Sequence, residues 1–146
     1  MKEGSFIIKS ISINADITIV WDALTNPEMT KKYYFDCEVI SNWNIGGEIA
    51  YMMKSEGKEI IAVKGIISAI IKNKLIEHSV YTPQTENDLS KHTIVRYELS
   101  REKDQTILSI KQGDFNNDPD ENRYNHTSES WNLVLNGLKK IIEGKK

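Results

Sequence analysis

A long amphipathic segment near the C-terminus constrains the fold more than any other part of the sequence. It covers residues 118–143, and its only proline is Pro119. A set of larger side chains recurs at the 3.6-residue period of a helix, which places them on one side of it. They are Tyr124, Thr127, Trp131, Val134, Leu135, Leu138, Ile141 and Ile142. We therefore predict one long helix whose apolar face is covered by the rest of the chain.

Residues at both ends of this segment favour the same helix. Asp118 is suited to cap the first free N–H groups, Pro119 suits the first helical position, and Glu121 lies where a capping box places an acid. Gly144 is a typical stop. Gly137 lowers helix propensity, which indicates a close approach by another part of the backbone. The predicted helix thus begins at Asp118 and ends before Gly144.

The preceding residues predict one strand, two short helices and six further strands. The first strand covers 6–13, and the helices follow from Asp16 and from Pro27. The later strands are predicted at 33–40, 48–54, 59–71, 75–81, 92–100 and 106–111. Gly65 interrupts the side-chain row of its strand, as at a bulge or where another element packs closely. Short connections between the strands predict an antiparallel sheet.

Length and charge narrow the class of protein. A chain of 146 residues with 39% hydrophobic residues is expected to form one domain over 1–146. The net charge of −2 and the dispersed lysines disfavour nucleic-acid binding. No apolar run is long enough to span a membrane, and the N-terminus does not resemble a secretory signal. With Cys37 as the single cysteine, these features predict a cytoplasmic protein.

The residue types that usually carry catalysis or bind metal form no recognisable motif. His78, His92 and His126 lack the short paired spacing of a metal site, so a structural or surface role is the preferred interpretation. Cys37 alternates with Phe35 and Val39, which indicates a core thiol. Neither a nucleophile elbow nor a phosphate-binding loop is present. We expect no catalytic residue, metal or cofactor.

Aromatic side chains and a methionine are distributed over elements that the predicted fold brings together. Each of them is most simply a core residue, but together they favour a pocket beside the long helix with tyrosine hydroxyls as its polar groups. The ten candidates for a ligand site are Trp21, Tyr34, Phe35, Trp43, Tyr51, Met53, Tyr81, Tyr97, Tyr124 and Trp131.

Motifs along almost the whole chain resemble one family. They are the segment 20–28 (Val-Trp-Asp-Ala-Leu-Thr-Asn-Pro-Glu), the turn 45–47 (Ile-Gly-Gly), 65–67 leading into 75–77, the strand 92–99, and Trp131 with Leu135, Leu138 and Lys139. The chain is similar to the activator-of-heat-shock-protein-90-ATPase-like (AHSA-like) branch of the START-like, or SRPBCC, superfamily. It departs from the family at Tyr33 and Tyr34, where a tryptophan is common.

The resemblance implies an α+β helix-grip fold, also called START-like or birch-pollen-allergen-like. In this fold a bent antiparallel sheet wraps around a long C-terminal helix, two short helices follow the first strand, and a cavity lies between sheet and helix. The resemblance also implies three functions. The preferred hypothesis is non-enzymatic binding of a small, largely hydrophobic ligand in that cavity.

The second hypothesis is a protein-interaction module with a chaperone partner in a stress response. The activator proper carries a separate N-terminal domain that this sequence lacks, so full activation is not expected. The third is a cyclase-like or hydratase-like enzyme, for which His78, Glu77 and Glu98 are the acid or base candidates. A monomer and a homodimer are both compatible with the sequence.

Overall fold

Seven strands and three α-helices form within the part of the chain that the computed structural model describes, residues 6–116, 118 and 120–144. The order is β1 (Ile7–Ile13), α1 (Ile17–Thr25), α2 (Pro27–Tyr33), β2 (Glu38–Ser41), β3 (Glu48–Ser55), β4 (Lys58–Ile71), β5 (Leu75–Val80), β6 (Thr93–Glu102), β7 (Gln105–Gly113) and α3 (Glu121–Glu143). Two short 3-10 turns, Pro83–Thr85 and Leu89–Lys91, connect β5 to β6.

The strands form one antiparallel sheet in the order β1-β7-β6-β5-β4-β3-β2. Neighbours in sequence are neighbours in the sheet from β2 to β7, while β1 pairs with β7. Four of the five connections from β2 to β7 have two to six residues, as antiparallel neighbours allow, and the one from β5 to β6 is longer. The predicted antiparallel sheet is therefore present.

Two irregularities interrupt the ladders of β4. Its register shifts once opposite Tyr51 and Met52 of β3, and once between Ile67 and Ala69 where it faces β5. Bulges of this kind increase local twist and bend a strand. Gly65 lies between them, and a Cβ atom placed there would be 1.7 Å from the Ser79 carbonyl oxygen. The predicted break at Gly65 thus reflects close packing by β5.

The apolar side of α3 packs on the inner face of the sheet and on α1. Trp131, Val134, Leu135 and Leu138 are buried in one core with residues of β1, β5, β6, β7 and α1. Fully burying side chains of this kind stabilises the fold by about 1.5–3 kcal/mol each. The helix is therefore held mainly by packing, as its amphipathic pattern predicts.

The prediction of a strand over 33–40 is wrong in its first half. Tyr33 ends α2, Phe35 and Asp36 have positive φ angles of 48° and 59°, and β2 begins only at Glu38. The alternation of polar and apolar residues came from a tight turn that buries Cys37 and exposes Phe35. Positive φ at residues other than glycine is uncommon and leaves no reliable mark in a sequence.

The predicted N-cap of α3 is also wrong. Asp120 caps the helix by accepting a hydrogen bond of 3.0 Å from the Asn122 amide. The Asp118 carboxylate accepts one from the Asp120 amide instead, at 2.9 Å, and takes part in ion pairs. The predicted roles of Pro119 and of the Glu121 side chain lie outside what the structure describes. At the other end, α3 terminates at Gly144 as predicted.

The Trp131→Ala substitution tests whether this residue anchors α3. We expect the free energy of unfolding to fall by about 3–5 kcal/mol, because the indole is buried and its loss leaves a cavity. Urea unfolding measures the change. Leu133→Ala is the control, since Leu133 is 65% exposed on the same helix and its truncation should change stability little. A loss below about 1 kcal/mol for Trp131→Ala would contradict the anchor role.

Candidate cavity between sheet and helix

A cavity of about 170 Å³ lies between α3 and the inner face of the sheet. Its deepest wall consists of side chains that are buried in the core, among them Val95, Tyr97, Trp131 and Val134. Phe35, Arg123 and Thr127 also line it and retain exposure to solvent, so they mark its mouth. Most of the wall is apolar, which favours an apolar occupant.

Five rings form a continuous row along this region. Tyr34 stacks on Tyr51 with 4.4 Å between ring centroids, and Tyr51 is 6.4 Å from His78. His78 lies 6.0 Å from Tyr97, which in turn meets Trp131 edge to face at 5.7 Å. Ring pairs at these separations are favourable beyond their burial. The row connects the end of α2 with β3, β5, β6 and α3.

Gln112 of β7 fixes the orientation of Trp131 in this wall. The indole N–H donates a hydrogen bond of 2.7 Å to the Gln112 side-chain oxygen. The amide nitrogen of Gln112 donates to the Thr93 hydroxyl at 2.9 Å, and all three side chains are buried. Buried polar groups need such partners. Gln112 lines the cavity, but the oxygen and the nitrogen of its amide are both already bonded.

His78 is the buried polar residue of the cavity wall with an unsatisfied atom. It is 1% exposed, its Nδ1 lies 2.8 Å from the Ser79 carbonyl oxygen, and its Nε2 has no hydrogen-bond partner. Burial lowers the pKa of His78 to about 4, and the hydrogen bond to Ser79 opposes this only in part. The imidazole is therefore neutral at physiological pH.

Burial also keeps the neighbouring tyrosines neutral. It raises the pKa of Tyr51 to about 12 and raises that of Tyr34 and Tyr97 further above the ordinary value. Their negative forms would also repel one another. The inner wall thus presents uncharged polar groups.

An ion-pair cluster holds the mouth of the cavity. The Asp118 carboxylate, 1% exposed, lies 2.7 Å from the Lys91 ammonium and 2.8 Å from the Arg123 guanidinium. Burial alone would raise the pKa of Asp118, but the hydrogen bonds from Lys91 and Arg123 lower it to about 2. The cluster links the connection between β5 and β6 to the first turn of α3 and fixes Arg123, which lines the cavity.

The structure brings together six of the ten residues that the sequence singled out. Five of them line the cavity: Tyr34, Phe35, Tyr81, Tyr97 and Trp131. The sixth, Tyr51, lines a smaller void that is also bordered by Tyr34, Tyr97 and Trp131.

The other four candidates lie elsewhere. Trp21 and Trp43 are partly buried and pack against the core, and Met53 lines a polar surface groove beside β3. Tyr124 packs on the ring of Phe115, and its hydroxyl donates a hydrogen bond to the Phe6 carbonyl at 3.2 Å. None of the four lines the cavity.

Ten of the fifteen lining residues were not among the candidates, and three of these ten take part in the interactions described above: His78, Gln112 and Arg123. His78 was interpreted as structural, although it shares its strand parity with Ile76 and Val80, and this alternation indicates an inward side chain. Gln112 and Arg123 carried no such signal, because the positions of their side chains depend on tertiary partners.

Of the three acid or base candidates, His78 alone lines the cavity. Glu77 and Glu98 both bond to Arg96 on the other side of the sheet, at 2.9 and 3.1 Å. The hydrogen bond from Arg96 lowers the pKa of Glu77, so its carboxyl group is a poor proton donor at neutral pH. Burial raises the pKa of the Cys37 thiol. The described residues contain no group of three potential metal ligands and no helix that could span a membrane.

The family of the chain follows from comparison with known proteins. The model of the family "Activator of Hsp90 ATPase homolog 1-like protein" matches residues 14–143. The chain belongs to this family. The α+β helix-grip fold expected from the sequence is thereby confirmed.

Solved structures of similar proteins agree with this assignment. ChR145 from Cytophaga hutchinsonii is 31% identical with a TM-score of 0.79, over 99% of this chain and 98% of that one. The Aha1 dimer from Colwellia psychrerythraea is 20% identical with a TM-score of 0.74, over 97% of this chain and 99% of that one. CalU16 from Micromonospora echinospora is 20% identical with a TM-score of 0.73, over 94% and 75%. A comparison with curated proteins found no match.

The buried neutral His78 predicts that this family member loses stability in mild acid. Between pH 6.5 and 4 the unfolded chain takes up a proton at His78 while the folded chain does not, so stability falls as pH falls. The expected loss is about 3 kcal/mol. Asp118, with its pKa lowered to about 2, loses its contribution only below about pH 4.

Urea unfolding at several pH values measures this loss. His78→Asn should reduce the change in the free energy of unfolding between pH 6.5 and 4. His126→Asn alters an exposed histidine and should leave that change as it is in wild type. Equal pH dependence in wild type and His78→Asn would show that the ring of His78 does not remain neutral in the folded protein.

Proposed function

We propose that the chain binds a small, largely apolar molecule in the cavity between the sheet and α3, without catalysing a reaction on it. The observation that carries this proposal is the cavity itself, about 170 Å³ with a mostly apolar wall. For scale, an apolar protein cavity of about 150 Å³ holds one benzene ring. A single ring or a short branched chain is therefore the expected size of the ligand.

The electrostatics of the wall favour an uncharged ligand. His78 is neutral, and the raised pKa values of Tyr51 and Tyr97 keep both hydroxyls protonated at neutral pH. A charged group placed among them would lose its hydration without gaining an oppositely charged partner. Arg123 lies at the mouth and is already paired with Asp118, so it does not demand an anionic ligand.

Native mass spectrometry of the purified protein, compared with the denatured mass of the same sample, tests this proposal. We expect an additional mass that disappears on denaturation. Val80→Phe should abolish it, since Val80 lines the cavity and the larger side chain fills the space. Ile142→Phe is the matched control, because Ile142 packs against the same core without lining a described cavity.

A weakly held ligand requires a second measurement on the same proteins. Titration with toluene, followed by the amide signals of β5 and α3 in NMR spectra, should give saturable shifts in wild type and Ile142→Phe. If toluene shifts no signal of wild type and no additional mass is found, the cavity does not bind apolar molecules of this size.

A second candidate function is contact with an Hsp90-type chaperone, and the family assignment over residues 14–143 favours it. We expect the chain to comigrate with a purified Hsp90 in gel filtration and to raise its ATPase rate only in part, since full activation is not expected. Val80→Phe should preserve this effect if the chaperone binds the outer surface. An unchanged ATPase rate, with no comigration in gel filtration, would exclude this function.

A further inference from the structure

A buried nitrogen without a partner marks one point on the cavity wall. Two buried side-chain polar atoms lack a hydrogen bond among the described residues, Asn73 Oδ1 and His78 Nε2. Asn73 belongs to the turn between β4 and β5, while His78 lines the cavity. Leaving such an atom unsatisfied is unfavourable, so it calls for a partner that the chain itself does not supply.

The bond at the opposite nitrogen determines what this partner must be. Nδ1 of His78 lies 2.8 Å from the Ser79 carbonyl oxygen, and a carbonyl oxygen only accepts. Nδ1 therefore carries the proton. In a neutral imidazole the other nitrogen is then a bare acceptor, so Nε2 can be satisfied only by a donor.

The backbone of two strands maintains this tautomer. The Ser79 carbonyl approaches β4 at Gly65, where a Cβ atom would come within 1.7 Å of it. The Ser79 hydroxyl accepts a hydrogen bond from the Ile66 amide at 2.9 Å, which anchors the residue in place of the regular ladder. The absence of a side chain at Gly65 thus allows the carbonyl position that holds the proton on Nδ1.

We infer that the ligand of this cavity carries a hydroxyl or N–H group on a small apolar body, and that this group donates a hydrogen bond to Nε2 of His78. The inference rests on the proposed function and adds the chemical class of the ligand. Phenols, small alcohols and compact N–H heterocycles belong to this class. Ethers, ketones and hydrocarbons of the same size do not.

The other polar groups of the wall are less suited to select the ligand. Both ends of the Gln112 amide are engaged by Trp131 and Thr93. Tyrosine hydroxyls can donate as well as accept, so they discriminate little between ligands. A fixed acceptor in an apolar wall rejects molecules that cannot donate, because binding them would leave the acceptor unpaired.

Phenol and toluene form the test pair, since they differ by a hydroxyl in place of a methyl group. NMR titration gives the Kd of each for wild type, His78→Phe and His78→Gln. We expect the preference for phenol over toluene to be about tenfold greater in wild type than in His78→Phe. His78→Gln should recover part of it, because its side-chain amide places an acceptor near the position of Nε2.

Anisole separates donation from general polarity, because its oxygen can only accept. We expect the ratio of the Kd of anisole to the Kd of toluene to be the same in wild type and His78→Phe. If phenol and toluene both bind wild type but their Kd ratio is unchanged in His78→Phe, the inference is wrong while the proposed function stands. If neither phenol nor toluene binds wild type, the inference and the proposed function are both wrong.

The tautomer can be tested in wild type without any substitution, which covers the case that His78 variants do not fold. ¹⁵N NMR of the imidazole should show a protonated Nδ1 and a bare Nε2 at neutral pH. Phenol should shift the Nε2 resonance towards lower frequency, and toluene should not. A protonated Nε2 in the free protein, or equal shifts with both compounds, would overturn the inference.

Discussion

The packing of α3 against the inner face of the sheet is the constraint on which the other features depend. Trp131 occupies the centre of this contact, buried and bonded through Gln112 to Thr93. The helix cannot move along the sheet without breaking these two buried hydrogen bonds, and the loss of a buried hydrogen bond lowers stability. The distance between helix and sheet, and with it the existence of the cavity, is therefore set by a few buried side chains on β6, β7 and α3.

The sequence predicted the parts of the fold that depend on periodicity. The 3.6-residue pattern located α3, and short apolar runs with turn residues between them located six of the seven strands to within two residues at each end. Errors arose where the backbone leaves the regular regions. The turn at Phe35 and Asp36 has two consecutive positive φ angles, and Asp118 forms ion pairs where a cap was expected. Positive φ at residues other than glycine leaves no reliable mark in a sequence, and the ion pair of Asp118 with Lys91 joins residues 27 positions apart.

The candidate site was less predictable than the fold, and the reason is physical. Aromatic content indicates burial but does not show on which side of a buried ring the packing is incomplete. Trp21 and Tyr97 are both aromatic residues of the core, yet only Tyr97 borders empty space. His78 was recognisable in principle from its parity with Ile76 and Val80, but its unsatisfied nitrogen depends on the position of the Ser79 carbonyl, which follows from the irregular pairing of β4 with β5.

This irregular pairing is where the chain departs most clearly from local rules for a stable sheet. Gly65 weakens a strand interior, a bulge interrupts the ladder near Ile67, and a neutral histidine is buried with one nitrogen unpaired. Each feature alone lowers stability, and an apolar residue at position 78 would remove the unpaired histidine nitrogen. Of these features, the histidine lies on the wall of the cavity. In the function proposed above, the cost of its unpaired acceptor is recovered when a donor occupies the cavity.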